Sequence, residues 1–202
     1  MASGRPVPTR IRALLRAQRA VASSLDLAGT LRTVVTEAAA IADVPIVRLL
    51  LLDERAQVLR FSVGMGLPDD AQRDLTIPVG TSFSGEAART GRAVAATDVR
   101  SDPRVVCQAH VIDHGVISHL SLPLKVQDAI VGVLAFNSTD AREYTETEIA
   151  LLSAFAEHAG IAIHNARLHE EALQAASARE GALEDVRNHE AFVRSVLGSL
   201  AE

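Results

Sequence analysis

The stretch from Ser118 to Asn137 constrains the fold more than any other, because it reads as two adjacent strands. Leu120, Leu122, Leu124 and Val126 recur at period two, which gives one strand an apolar face. Lys125-Val-Gln-Asp128 is a polar break suited to a hairpin turn. Ile130, Val131, Val133, Leu134 and Phe136 follow, making a strand apolar on both faces. Such a strand must be covered on both faces. The hairpin is therefore expected at the centre of a sheet, with helices on one side and loops and short helices on the other.

Around it the chain alternates helical and extended patterns. Ile11, Leu14, Leu15, Val21 and Leu25 have helical spacing. Asp26 is placed to cap a second helix carrying Leu27, Leu31, Val34, Val35, Ala38 and Ile41 on one stripe, with Pro45 as its stop. Strands are expected over 46–52, 58–63, 75–79 and 93–97, and Gly64 to Pro68 breaks the pattern after the second. A helix capped by Thr81 or Ser82 and closed by Gly91 lies between the last two, and a short helix is expected over 105–114. Thr145 and Glu148 form a capping-box pattern that opens a helix of about fifty residues, in which Gly160, Gly181 and Gly198 are tolerated costs or breaks. In it Ile161, Leu168, Ala175 and Ala182 fall on one heptad line, and Asn165, Ala172, Arg179 and Val186 on the intercalated one. Both lines continue to the C-terminus as a diluted dimerisation seam.

The Ser-x-Leu-Ser-Leu-Pro-Leu strand from Ser118, the Gly-Val-Leu strand from Gly132 and the acidic turn and long helix that follow resemble the C-terminal half of a GAF domain. Val79-Gly-Thr-Ser-Phe-Ser-Gly-Glu-Ala-Ala-Arg-Thr-Gly91 and Asp98-Val-Arg-Ser-Asp-Pro103 resemble its middle segments. The resemblance covers about residues 25–168. It implies an α+β fold: a central antiparallel sheet with terminal helices on one face and a ligand-pocket roof on the other. The expected organisation is an N-terminal helix over 1–24, the GAF domain over 25–168, and a signalling helix over 169–202. That helix reads as the lead-in to a PAS-type or other output domain of a bacterial signalling protein such as a histidine kinase. Fold does not fix function, so the ligand must be read from individual residues.

Composition excludes several classes. A net charge of −5 leaves no basic footprint for nucleic acid, and 3% aromatic residues leave little stacking surface. One cysteine rules out an intramolecular disulfide and points to the cytoplasm. No apolar run approaches the roughly 20 residues of a membrane span, and no signal-peptide core follows the N-terminal arginines. No nucleophile–base–acid spacing, P-loop or dinucleotide loop is present, so the domain reads as non-catalytic.

The residues expected to line a pocket are Phe83, Cys107, His110, Val111, His114, Leu120 and Ala135, with apolar walls from Phe83, Val111, Leu120 and Ala135 and polar groups from the histidines. In bilin-binding GAF domains a cysteine precedes the central hairpin. Cys107 has that place, but Gln108 stands where a histidine typically follows. Arg104 and His110 flank Cys107, an arrangement that could lower a redox-active thiol's pKa, while the plainer reading is a small apolar residue. His110 and His114 have metal-chelating i, i+4 spacing, and His119 lies near the place of a haem-ligating histidine in some GAF domains. The cyclic-nucleotide branch carries Asn-Lys and then Phe-x-x-x-Asp-Glu; here Asn137-Ser138 and Tyr144-x-x-x-Glu148 replace them, so the lysine salt bridge is lost. Thr81, Ser82 and Ser84 could donate to phosphate or simply cap their helix.

The function that emerges is a sensor that homodimerises through its terminal helices and binds an unidentified small molecule, without nucleic acid or membrane. A ligand-free dimerisation module, a bilin or haem sensor, and a methionine-sulfoxide reductase of the same fold are the alternatives. No cofactor is assigned.

Overall fold

The computed structural model describes Leu15 and residues 26–67, 74–100, 102–105 and 114–199, the side chains of 182–199 excepted. The helix expected over 10–25 (Leu15, helical and exposed, apart) and the body of the one expected over 105–114 lie outside these residues.

Among the described residues the elements run α1 (Leu27–Ala42), β1 (Ile46–Asp53), β2 (Val58–Met65), β3 (Thr76–Pro78), α2 (Ser82–Thr90), β4 (Val94–Ala96), β5 (Ser118–Val126), β6 (Ala129–Ser138) and α3 (Glu146–Ser199). The strands form a six-stranded sheet in the order β3-β2-β1-β6-β5-β4. Every neighbouring pair is antiparallel. The α+β architecture is the expected one. The chain divides into two compact units, with the boundary between Ala166 and Arg167 inside α3.

The central hairpin is β5–β6, with Val126 paired to Ala129 and a two-residue turn at Gln127-Asp128. Gln127 has φ 55°, the left-handed region that tight hairpin turns use. β6 lies between β5 and β1, and Val133, Leu134, Ala135 and Phe136 are all sealed from solvent. Their alternation divides the core in two. Leu134 and Phe136 join Leu120, Leu122, Leu124, Val47 and Leu49 beneath Val34, Val35 and Ala38 of α1 and Leu152, Phe155, Ala156 and Ala159 of α3. Val133 and Ala135 face the other way, with Ile46, Leu50, Leu59, Phe83, Ala87, Val99 and Val116.

Local chemistry sets the helix ends. Asp26 caps α1 by accepting from the Gly29 amide at 2.6 Å. α1 stops before Pro45: Asp43 takes a left-handed conformation at φ 54° and its amide returns to the Ala39 carbonyl. The capping box of α3 is formed, with the Glu148 amide donating to Thr145 Oγ1 at 3.2 Å and the Thr145 amide to Glu148 Oε2 at 3.1 Å. Thr81 occupies the N-cap place of α2, but its hydroxyl donates backwards to the Pro78 carbonyl and caps nothing. Arg142 ties α1 to α3. Its guanidinium donates to the Ala42 and Asp43 carbonyls at 2.8 and 3.2 Å and pairs with Glu148 at 3.1 Å. Glu148, which matches the acidic partner of the lysine in the cyclic-nucleotide branch that the sequence resembles, pairs with an arginine here.

Gly160 is not a tolerated cost. α3 crosses β5 so closely that a Cβ at Gly160 would meet the Lys125 carbonyl oxygen at 2.7 Å and its amide nitrogen at 2.9 Å. At Gly181 an added Cβ meets nothing within 4 Å. The two glycines of one helix should therefore respond oppositely to alanine. Gly181→Ala should stabilise the helix by roughly 0.5–1 kcal/mol. Gly160→Ala should cost about 1–3 kcal/mol despite the same gain in propensity, because backbone must move. Urea denaturation of both variants measures this, and equal responses would contradict the close crossing.

Candidate functional site

The face of the sheet turned away from α1 and α3 carries His119, Ser121, Asn137 and Arg48. On β5 the alternation that sends Leu120, Leu122 and Leu124 toward the helices sends His119 and Ser121 to the other side. Asn137 of β6 is paired with His119, and Ala135 with both Ser121 and Arg48. Leu120 is accordingly not on the pocket face: it is sealed in the helix-side core. Phe83 and Ala135 do lie on the expected face. His114 is half-buried just before β5. Cys107, His110 and Val111 lie outside the described residues.

These side chains form a continuous hydrogen-bonded series. Ser84 Oγ and Ser121 Oγ are 2.9 Å apart, Ser121 Oγ and His119 Nε2 2.7 Å, and His119 Nδ1 and Asn137 Oδ1 2.8 Å. The Asn137 oxygen can only accept, so Nδ1 carries the proton and Nε2 accepts from Ser121. Ser121 then accepts from Ser84. Arg48 reaches the same Asn137 oxygen with Nη2 at 3.5 Å. The series therefore has one direction and links α2, β5, β6 and β1. Above it Phe83 lies against the imidazole, ring centroids 4.9 Å apart, and Arg104 covers the outer face of Phe83 at 4.5 Å. Arg104 is itself held by Asp102 at 2.7 Å and Glu86 at 3.5 Å.

Burial sets the electrostatics. It pulls His119 down to about 4, against the opposing effect of the Asn137 hydrogen bond, and Arg48 and Arg104 lower it further. Burial also lowers Arg48 to about 10, so it stays charged at neutral pH. The bond from Arg104 holds the Asp102 carboxyl below its ordinary value.

Ser121, His119 and Asn137 have the connectivity of a nucleophile, a base and its orienting group, a set the sequence spacing did not disclose. Two features oppose that chemistry. An imidazole titrating near 4 is a weak base at neutral pH. Ser121 is fully buried and its oxygen is shared with Ser84. The same series argues against His119 as a haem ligand, since both ring nitrogens are already engaged. Among the described residues no group of three or more histidine, cysteine or acidic side chains is placed to hold a metal ion.

Sequence reasoning missed Arg48 and Ser121. The available signals were an arginine in the otherwise apolar run from Ile46 to Leu52, and the polar residues alternating with Leu120 and Leu122.

The series imposes a pH dependence. His119 is neutral in the folded protein down to about pH 4 and titrates near 6.5 when unfolded. A depressed folded value means stability fully present above pH 6.5 and lost as pH falls toward 4. Urea titrations at about pH 7.5 and 4.5 should differ by roughly 2–3 kcal/mol from this group. His119→Gln should remove that increment. An unchanged pH slope in the variant would show that His119 is not buried as a neutral imidazole.

Comparison with known proteins agrees with this architecture. The GAF domain of a phosphoenolpyruvate-protein phosphotransferase from Coxiella burnetii superposes with TM-score 0.73 at 17% identity, over 80% of this chain and 96% of that one. Free methionine-R-sulfoxide reductase from Neisseria meningitidis, solved with its substrate, gives 0.71 at 20% identity, over 84% and 96%. The GAF-B domain of DevS from Mycobacterium smegmatis gives 0.59 at 22%, over 72% and 98%. At these identities the likeness is one of fold. The sequence profile of the GAF domain matches residues 24–164, most of the chain, and the chain therefore belongs to the GAF domain family.

Proposed function

We propose that this GAF domain is a non-catalytic sensory module that reads a small molecule on its polar sheet face and passes its state to an output domain through its terminal helices. One observation carries this reading. The buried series ends on Asn137, and the chain leaves β6 one residue later for the segment that holds Arg142 and opens α3. A shift at Asn137 therefore acts on the clasp between α1 and α3. A ligand biases these helices only through contacts that differ between two states. Relatives of this fold include a DevS domain and a sulfoxide reductase. The reductase reading is disfavoured by thiol chemistry: reducing a sulfoxide with protein thiols ends in a disulfide, which one cysteine cannot form within its chain. A cytoplasmic location fits the single cysteine, and no helix among the described residues is long and apolar enough to cross a membrane.

The reading includes a homodimer through the terminal helices. Ile161 and Leu168, seven residues apart on α3, are 47% and 50% exposed, an apolar pair that a second copy would cover. Light scattering at tens of micromolar, roughly the range of weak self-association, should report a dimer, and Leu168→Glu should shift it toward monomer. A monomer in the unsubstituted protein would remove this part of the proposal.

Hydrogen exchange tests the transmission. Asn137→Ala should alter protection in residues 142–150 and at the C-terminal end of α1, as well as at the site. Changes confined to the polar sheet face would favour a dimerisation module without sensing.

A further inference from the structure

Asn137 is 1% exposed, and its two polar atoms have different fates. The oxygen is occupied by His119 and approached by Arg48. The amide nitrogen is buried and has no hydrogen-bond partner among the described residues. A buried donor left unmade is costly, and native structures keep few of them. Arg48 opposes the simple remedy. A flipped amide would turn its nitrogen toward the guanidinium Nη2 that lies 3.5 Å from the oxygen, so the oxygen stays on the side of His119 and Arg48 and the nitrogen is turned away. The fixed order of the hydrogen-bonded series thus presents a donor of known identity.

Resting on the sensing reading above, we propose that the corner made by Asn137 Nδ2 and the Arg48 guanidinium receives the carboxylate of a small organic acid. A carboxylate offers two oxygens in one plane, which suits a guanidinium beside a single amide donor. It answers the unmade Asn137 bond and sets a negative charge beside the buried arginine, lowering the desolvation cost of that cation whatever else it touches. Arg48 remains charged at neutral pH, while His119 is neutral and adds no competing charge. Phosphate fits less well, because its greater charge and additional oxygens call for more donors than this corner brings together among the described residues.

The test uses sodium acetate, the bare functional group, with the full chain at neutral pH and constant ionic strength. The side-chain amide resonances of Asn137 should shift saturably, with a dissociation constant on the order of millimolar for four heavy atoms. Acetamide, the neutral analogue, should bind at least about tenfold more weakly, and Arg48→Met should weaken acetate by about ten- to a hundredfold, as expected for a hydrogen bond to a charged group. Asn137→Asp places a carboxylate in the corner itself. The backbone amide shifts that acetate induces at residues 136–138 should disappear in it while the spectrum stays dispersed, and Arg48→Lys, which keeps the charge but not the planar fork, should bind acetate more weakly than the unsubstituted protein, so the test stays decisive if Arg48→Met does not fold. No shift at roughly 50 mM acetate, well above the expected range, would overturn the proposal, as would equal responses to acetate and acetamide. Either failure leaves the hydrogen-exchange result for the helices standing, so loss of the ligand class and loss of the sensing role are separable.

Discussion

The structure depends on a strand buried from Gly132 to its end at Ser138. β6 buries Val133 and Ala135 on one face and Leu134 and Phe136 on the other, which obliges the chain to supply two covers of different kinds. The helix-side cover is large aliphatic and aromatic packing, with the small residues Ala156, Ala159 and Gly160 letting α3 approach the hairpin backbone. The opposite cover is α2 and the segment leading to Arg104, whose small residues Ser84, Ala87 and Ala88 lie close to the sheet. One cover is built for adhesion. The other admits polar groups, which are bonded one to the next while the Asn137 amide nitrogen is left over.

That bonded series also explains why the site is more than a set of polar residues. A hydroxyl can donate or accept and an imidazole can choose its tautomer, so an isolated pair would be ambiguous. Anchoring one end on the Asn137 oxygen removes the ambiguity along the whole line from Asn137 to Ser84. Burial, with Arg48 and Arg104 nearby, keeps His119 neutral, and the Asn137 bond opposes the shift only in part. The outer layer, Arg104 on Phe83 on His119, keeps water from the ring.

Much of the fold was legible in the sequence because period-two alternation and capping chemistry are local. The hairpin, the Asp26 cap and the Thr145–Glu148 box needed no tertiary information. Gly160 was misread because propensity is a local quantity, whereas its reason lies across space in the Lys125 backbone. The site was legible only in part. Phe83 and Ala135 lie on the face away from the helices, whereas Leu120, expected there too, belongs by its alternation with Leu122 and Leu124 to the helix side. The same alternation puts the polar residues His119 and Ser121 on the opposite face of that strand. Arg48 was hidden differently, since nothing local tells whether an arginine in an apolar run reaches solvent or a partner such as Asn137, 89 residues away.

The absent side chain at Gly160 has a mechanical consequence. Where helices and sheets meet through interdigitating side chains, small rotations can be absorbed by rotamer changes. Here helix backbone bears directly on strand backbone at Lys125, one residue before the end of β5. Rotating α3 about its own axis would drive a neighbouring side chain into that contact. The helix is thus geared to the hairpin: a tilt of β5 and β6 becomes a tilt of this part of α3, while twist is filtered out.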